Sequence, residues 1–186
     1  MSKEKNGFTV IEVSLVLALA GLIFLMVFVA LPSLRRSQRD TSRREAAMEL
    51  VSEIKNFQQN NGRGNLPGYA DTIPASGLSI TASSTGADTS WAGFYRDFLG
   101  ANYVDPDGER YNLLILSCGT TIPDASCAEK NSTLNKIYTA AFPNGYRMYI
   151  VLGSTCYGDK AVATSNQRMV SVLYRLEGAG VYCSNT

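Results

Sequence analysis

The sequence predicts an α+β fold. A long N-terminal helix, membrane-spanning in its first half and amphipathic in its second, packs on a C-terminal antiparallel β-sheet head. Three observations predict it. Val13 to Leu34 is a run of 22 residues without a charge. Ala47, Leu50, Val51, Ile54 and Phe57 then recur at helical spacing. Beyond residue 109, short runs rich in β-branched, aromatic and Leu residues return, separated by turn signals.

Composition narrows the function. The 186 residues suit one domain plus an extra segment. Seventeen Lys+Arg against sixteen Asp+Glu leave a net charge of +1, so a basic, specifically nucleic-acid-binding chain is not expected. There is no His. Ser-His-Asp and Cys-His catalysis, imidazole metal sites and His-based pH switching are therefore excluded. Charged residues are 18% of the chain, below the usual quarter, mainly because of the uncharged run.

The chain begins with a short polar stretch, residues 1–7, carrying Lys3, Glu4 and Lys5 and ending in Gly7. An apolar block follows. A helix rises about 1.5 Å per residue, so roughly 20 apolar residues span a bilayer. Val13–Leu34 meets that length. A secretory signal has an apolar run of about 7–15 residues with a small-residue cleavage site after it. Here the run is too long, and the plausible cut site, Gly7, precedes it. Cleavage there leaves the helix on the mature chain as an anchor.

Glu12 is the anomaly in this block. A carboxylate at the centre of a membrane helix costs about 2.5–3.5 kcal/mol on insertion scales. Two readings stand. Glu12 sits at the headgroup edge, or it has a cationic partner. Cleavage after Gly7 would supply one: a new α-amine at Phe8, four residues before Glu12, in the same chain or in a staggered neighbour.

Gly7-Phe8-Thr9-Val10-Ile11-Glu12 resembles the class III signal of type IV pilins and type II secretion pseudopilins. In that family a short basic leader ends in Gly, and a membrane aspartyl protease, the prepilin peptidase, cuts after it. The new N-terminal residue is N-methylated, and the fifth mature residue is Glu. The resemblance therefore implies cleavage between Gly7 and Phe8, methylation of Phe8, and an assembly role for Phe8 and Glu12. It covers residues 1 to about 61 and is only architectural beyond. It divides the chain into a leader (1–7), a transmembrane and assembly half of the helix (8–34), an amphipathic half (35–61) and a head (62–186).

Between Phe8 and Gln59 only Gly21 and Pro32 interrupt the helical pattern. One helix of about 50 residues, close to 75 Å, follows. Pro32 removes a backbone hydrogen bond and should kink it, and Gly21 weakens it. Both residue types are also simply common in membrane helices. In pilin filaments a Gly-to-Pro stretch of this helix unwinds as subunits pack, which makes Gly21 and Pro32 assembly candidates. Asn61-Gly62 is a helix stop. Arg35, Arg36, Arg39, Arg43 and Arg44 follow the apolar run. By the positive-inside rule alone they would hold the head in the cytoplasm. The processing motif and the cysteines overrule this, and the cluster is read as meeting lipid phosphates or acidic residues of neighbouring subunits.

Residues 62–90, dominated by Gly, Ser, Thr, Ala and Pro, read as a partly ordered surface loop, with a disordered linker as the competing view. Thr89-Ser90 suits the cap of a short helix over Trp91–Leu99, whose Trp91, Phe94, Tyr95 and Phe98 plug the core. Asp105-Pro106-Asp107-Gly108 is a turn signal. Asp105, Asp107 and Glu109 form a weak Ca²⁺ candidate, since some pseudopilins bind calcium, but the EF-hand spacing is incomplete. No other cofactor is expected. Strands are expected at Arg110–Ser117, Tyr146–Leu152 and Met169–Leu176, with a turn at Glu177-Gly178 and a short final strand, Gly180–Cys183.

Cys118, Cys127, Cys156 and Cys183 admit three pairings. No C-x-x-C pair exists for a zinc or redox site. An even number in the head suits an oxidising exterior. Nearest-neighbour pairing, Cys118–Cys127 and Cys156–Cys183, is the expectation, and the second bridge resembles a pilin's disulfide-bounded C-terminal region.

Three functions are weighed. The first, which the resemblance implies, is the structural subunit of a type IV pilus, a surface filament for adhesion and twitching motility. Its partners would be copies of itself in a helical homopolymer, the prepilin peptidase and an inner-membrane assembly platform. It would be a single-pass membrane protein with its head outside before assembly, and part of an extracellular fimbrium after. The alternative is a pseudopilin of a type II secretion or DNA-uptake system, toward which the Asp-Pro-Asp-Gly turn leans. A membrane-anchored secreted enzyme is the third class. No nucleophile motif supports it, and no catalytic residue is expected.

Overall fold

Helix α1 spans Val10–Asn60, 51 residues with Pro32 inside it. The structure is a computed structural model, and it describes residues 7–60, 63–100, 103–119, 123–139, 147–178 and 180–186. The leader residues before Gly7, the Asn61-Gly62 stop and Tyr146 lie outside these. The chain divides into two compact units, Met1–Gln38 and Arg39–Thr186, and α1 supplies part of each.

In the second unit α1 buries one stripe: Arg43, Ala47, Leu50, Val51, Ile54 and Phe57. The helical period puts these on one face. Beyond α1 come β1 (Leu78–Ile80), α2 (Trp91–Phe94) with a π-helical turn at Tyr95–Leu99, and β2 (Asn112–Ser117). Then follow α3 (Cys127–Lys130), α4 (Ser132–Thr139), β3 (Arg147–Leu152), β4 (Ser154–Tyr157), β5 (Lys160–Ala163), β6 (Val170–Arg175) and β7 (Val181–Asn185). The unit is α+β, with a five-stranded sheet in the order β1-β2-β3-β6-β7 and a separate β4-β5 hairpin.

The main sheet is mixed, which corrects the antiparallel expectation. β2 and β3 run parallel, Asn112 opposite Arg147 through Ser117 opposite Leu152. The other ladders of this sheet are antiparallel. Parallel neighbours need a long crossover. The segment carrying α3 and α4 provides it, and neither helix was expected from the sequence. β4, β5 and β1 are likewise additions, β1 arising inside the stretch read as a loop. The helix expected over Trp91–Leu99 is α-helical only to Phe94 and then widens to a π turn.

Both faces of the sheet are covered. On one side α1, Trp91, Phe94 and Tyr103 join Leu113, Ile115, Met148, Ile150, Val170 and Val172. On the other, Leu114, Leu116, Tyr149, Val151 and Leu173 meet Leu134 and Ile137 of α4 and Ala161 and Ala163 of β5. Two-sided burial explains why β2 and β3 read as continuous apolar runs rather than alternating ones. Phe57 sits edge-on to Phe94 and Phe98, with ring centroids 5.9 and 5.5 Å away.

Two disulfides staple the second layer. Cys118–Cys127 closes the start of the crossover, and Cys156–Cys183 ties the hairpin to β7. This is the nearest-neighbour pairing.

Candidate functional site

The first unit is chemically unlike the second. From Phe8 to Leu34, eighteen large apolar side chains are exposed, on every side of the helix. Burying one such side chain is worth about 1.5–3 kcal/mol. Left in water, the segment would forgo tens of kcal/mol, so it demands an apolar environment. The helix is long and apolar enough to cross a membrane. Its hydroxyls do not oppose this, because they are satisfied internally. Ser14 Oγ donates to the Ile11 carbonyl at 2.8 Å and Ser33 Oγ to that of Ala30 at 2.9 Å.

At its start, Thr9 caps the helix. Thr9 Oγ1 accepts the Glu12 N–H at 3.3 Å and donates to Glu12 Oε2 at 3.4 Å. The spacing Thr-x-x-Glu is that of a capping box, a signal present in the sequence and missed there. The cap fixes where the carboxylate of Glu12 begins its reach. Among the described residues no cation pairs with it, and its recorded side-chain partner is Thr9. Gly7 is exposed and Phe8 is 85% exposed, so the proposed cleavage junction is open. At Gly7 and at Gly21 an added Cβ would meet nothing within 4 Å, so this single chain makes no steric demand for either glycine.

The second cluster corrects the reading of one of the arginines, Arg43. Arg43 is 1% exposed and faces the head's interior, not lipid or another subunit. It lies four residues before Ala47, one turn along the buried stripe. Its guanidinium grips Asp105 with two bonds, Nε to Oδ2 at 2.7 Å and Nη2 to Oδ1 at 2.9 Å. It also reaches Asp107 Oδ2 at 3.0 Å and Glu177 Oε1 at 2.5 Å. Arg39 Nη2 bonds the other Glu177 oxygen at 2.7 Å. Asp40 caps the Glu177-Gly178 turn, accepting both backbone N–H groups at 2.9 and 3.1 Å. One helix turn is thus tied to two loops of its own head.

Asp105 is positioned by its own turn. Gly108 N–H donates to the Asp105 carbonyl at 2.8 Å, and Gly108 takes φ +88°, where a glycine is unstrained. Burial would raise the Asp105 carboxyl, but the Arg43 guanidinium outweighs it and holds it below its ordinary range. Glu177 is lowered likewise, against burial, by Arg43 and then Arg39. Arg43 is pushed up, chiefly by its bonds to Asp105 and against the cost of burial. The residues of the calcium candidate have partners within the chain. The Asp105 and Asp107 carboxylates hold an arginine, and Glu109 contributes its carbonyl to the Asp105 N–H at 2.7 Å. Among the described residues no group of three or more Cys, Asp or Glu side chains is placed to hold a metal ion.

No family model matches the chain, no curated protein matches it, and no solved structure matches it.

Proposed function

We propose that the chain is the structural subunit of a type IV pilus-like filament. The prepilin peptidase cuts between Gly7 and Phe8, Phe8 is methylated, and an inner-membrane platform polymerises the mature chain through residues 8–34 into a helical homopolymer. One observation carries the reading. A carboxylate, Glu12, lies in the first turn of a helix that Thr9 caps and that exposes large apolar side chains on every side from Phe8 to Leu34. Such a surface suits a bilayer first and a bundle of like helices afterwards. In either place Glu12 lacks a cation, and an α-amine at Phe8 of a neighbouring chain supplies one. Before assembly the head lies outside the membrane, where its disulfides are stable. Gly21 and Pro32 are the positions where the helix is weakest and where packing could unwind it. The pseudopilin alternative shares each of these steps. The turn at Asp105–Gly108 favours it, and it differs in filament length and place.

The test is mass spectrometry of filaments sheared from the cell surface. Abundant peptide beginning at methylated Phe8 is expected. A chain that begins at Met1, or its absence from every sheared or periplasmic filament, would overturn the reading.

A further inference from the structure

The far end of the sheet carries a second candidate site. β2 and β3 are parallel, so they finish side by side, at Ser117 and Leu152. Their chains then part: β3 turns at Gly153, φ +66°, into β4. The gap between the loop at 65–73 and the turn at 167–168 is an open cleft of about 550 Å³, within the range of small-molecule sites.

Both walls are fixed. The last turns of α1 hold them through one residue, Gln58. Its carbonyl accepts the Gly64 N–H at 2.7 Å, and its side-chain amide donates to the Arg168 carbonyl at 3.0 Å. The first wall is pinned again where Gly68 N–H meets the Thr89 carbonyl at 2.7 Å. Gly68 has φ +62°, and a Cβ there would lie 2.2 Å from Trp91, so only glycine permits this approach. The second wall is braced by Asn166 Oδ1, which accepts the Arg168 N–H at 3.0 Å. A ligand entering such a cleft would have little loop ordering to offset.

The chemistry of the lining is specific. Arg168 is exposed, and no carboxylate pairs with it among the described residues. The one acid in the lining, Asp71, is engaged, its Oδ2 accepting the Trp91 N–H at 3.0 Å. Tyr69 lines the same cleft and is 60% exposed. Asn65 and Gln167 add amides that can donate and accept. An aromatic ring suits the C–H face of a sugar, amides suit its hydroxyls, and a free guanidinium takes a carboxylate by two parallel bonds. A neutral sugar would leave Arg168 unused, and an acidic peptide would leave the amides without a pattern to read. We infer that this cleft binds a saccharide bearing a carboxylate, a uronate or a sialate, with Arg168 on the carboxylate and Tyr69 against the ring. The inference concerns the head alone and holds whether or not the chain polymerises.

The test is calorimetric titration of the full-length protein in detergent micelles with tri-galacturonate, sialyllactose, lactose and tri-glutamate. Saturable binding of at least one acidic sugar is expected, and which one binds identifies the source of the carboxylate. Lactose and tri-glutamate should not bind. Arg168→Gln should weaken binding roughly tenfold to a hundredfold, with Arg168→Lys between it and the wild type. Tyr69→Ala should also weaken it. Both residues are exposed, so the melting temperature should stay unchanged and certify the fold. No binding of either acidic sugar at millimolar concentration, equal binding by Arg168→Gln, or equal binding of tri-glutamate would each overturn the inference.

Discussion

Arg43 shows how much one side chain decides. Burying a guanidinium costs several kcal/mol before any partner is counted, and only complete pairing offsets it. Here Asp105 grips it with both oxygens while Asp107 and Glu177 take further N–H groups. The pair adds little over a well-packed apolar pair, but half of it is far worse than either. Arg43→Met, which strands the Asp105 carboxylate, should therefore destabilise the head by about 3–5 kcal/mol. Asp105→Leu should cost a similar amount, and the double variant clearly less than the sum. Melting curves of the four proteins in one detergent decide it, and simple additivity would show that the two side chains do not couple. Acid should act on the same pair. Asp105 and Glu177 have folded pKa values below their unfolded ones. Their contribution is then complete above the unfolded carboxylate range near pH 4 and is lost as pH falls through the lower folded values. The melting temperature should drop steeply below about pH 4. In Asp105→Asn that drop should be shallower, and an unchanged slope would exclude Asp105 as its source.

At the scale of elements, local propensity and packing can be set against each other at Gly93, inside α2. Propensity alone says that Gly→Ala in a helix gains about 0.5–1 kcal/mol. Packing says otherwise, because a Cβ at Gly93 would lie 2.2 Å from the Ala87 carbonyl oxygen, which is backbone and has little room to move. Gly93→Ala should therefore lower the melting temperature, and a rise would show that the Ala87 turn yields. The same contest explains what could be read in advance. The α1 stripe was legible because a long helix repeats its period many times. Strands at β2, β3 and β6 were legible as apolar runs. Their directions were not, because period and propensity are the same in parallel and antiparallel ladders. The continuity of Leu113–Leu116 already signalled a sheet covered on both faces. Helix α4 is short and mostly polar, with only Leu134 and Ile137 buried, and is formed by its place on the sheet rather than by pattern. Arg43 was misread for a related reason: charge is expected outside, yet its spacing from Ala47 already placed it on the buried stripe.

For the whole molecule the decisive contrast lies between a head that pairs its buried charge, Arg43 with Asp105 and Glu177, and a helix segment, Phe8 to Leu34, whose large apolar side chains stand exposed. The first hides its apolar side chains in two packed layers, and the second, under the proposed function, passes from lipid to copies of itself. Glu12 is where these two homes differ. In a bilayer a carboxylate near the end of the span can stay at the headgroups, at little cost. In a filament core of like helices there is no headgroup layer, and an unpaired charge costs several kcal/mol. The proposed pairing with the Phe8 amine of a neighbour removes that cost at one axial position and leaves it at every other, so it would set the register of each incoming subunit. Glu12→Ala should then be cut and accumulate in the membrane normally, yet give few or no filaments when it is the only such subunit in the cell. Glu12→Gln should fail in the same way, since it keeps the size and the Thr9 cap contact but loses the charge. Mature protein by immunoblot is compared with filaments by electron microscopy. Wild-type filament numbers in both variants would reduce Glu12 to a residue at the headgroup edge, while normal filaments in Glu12→Gln alone would assign its role to hydrogen bonding rather than to charge.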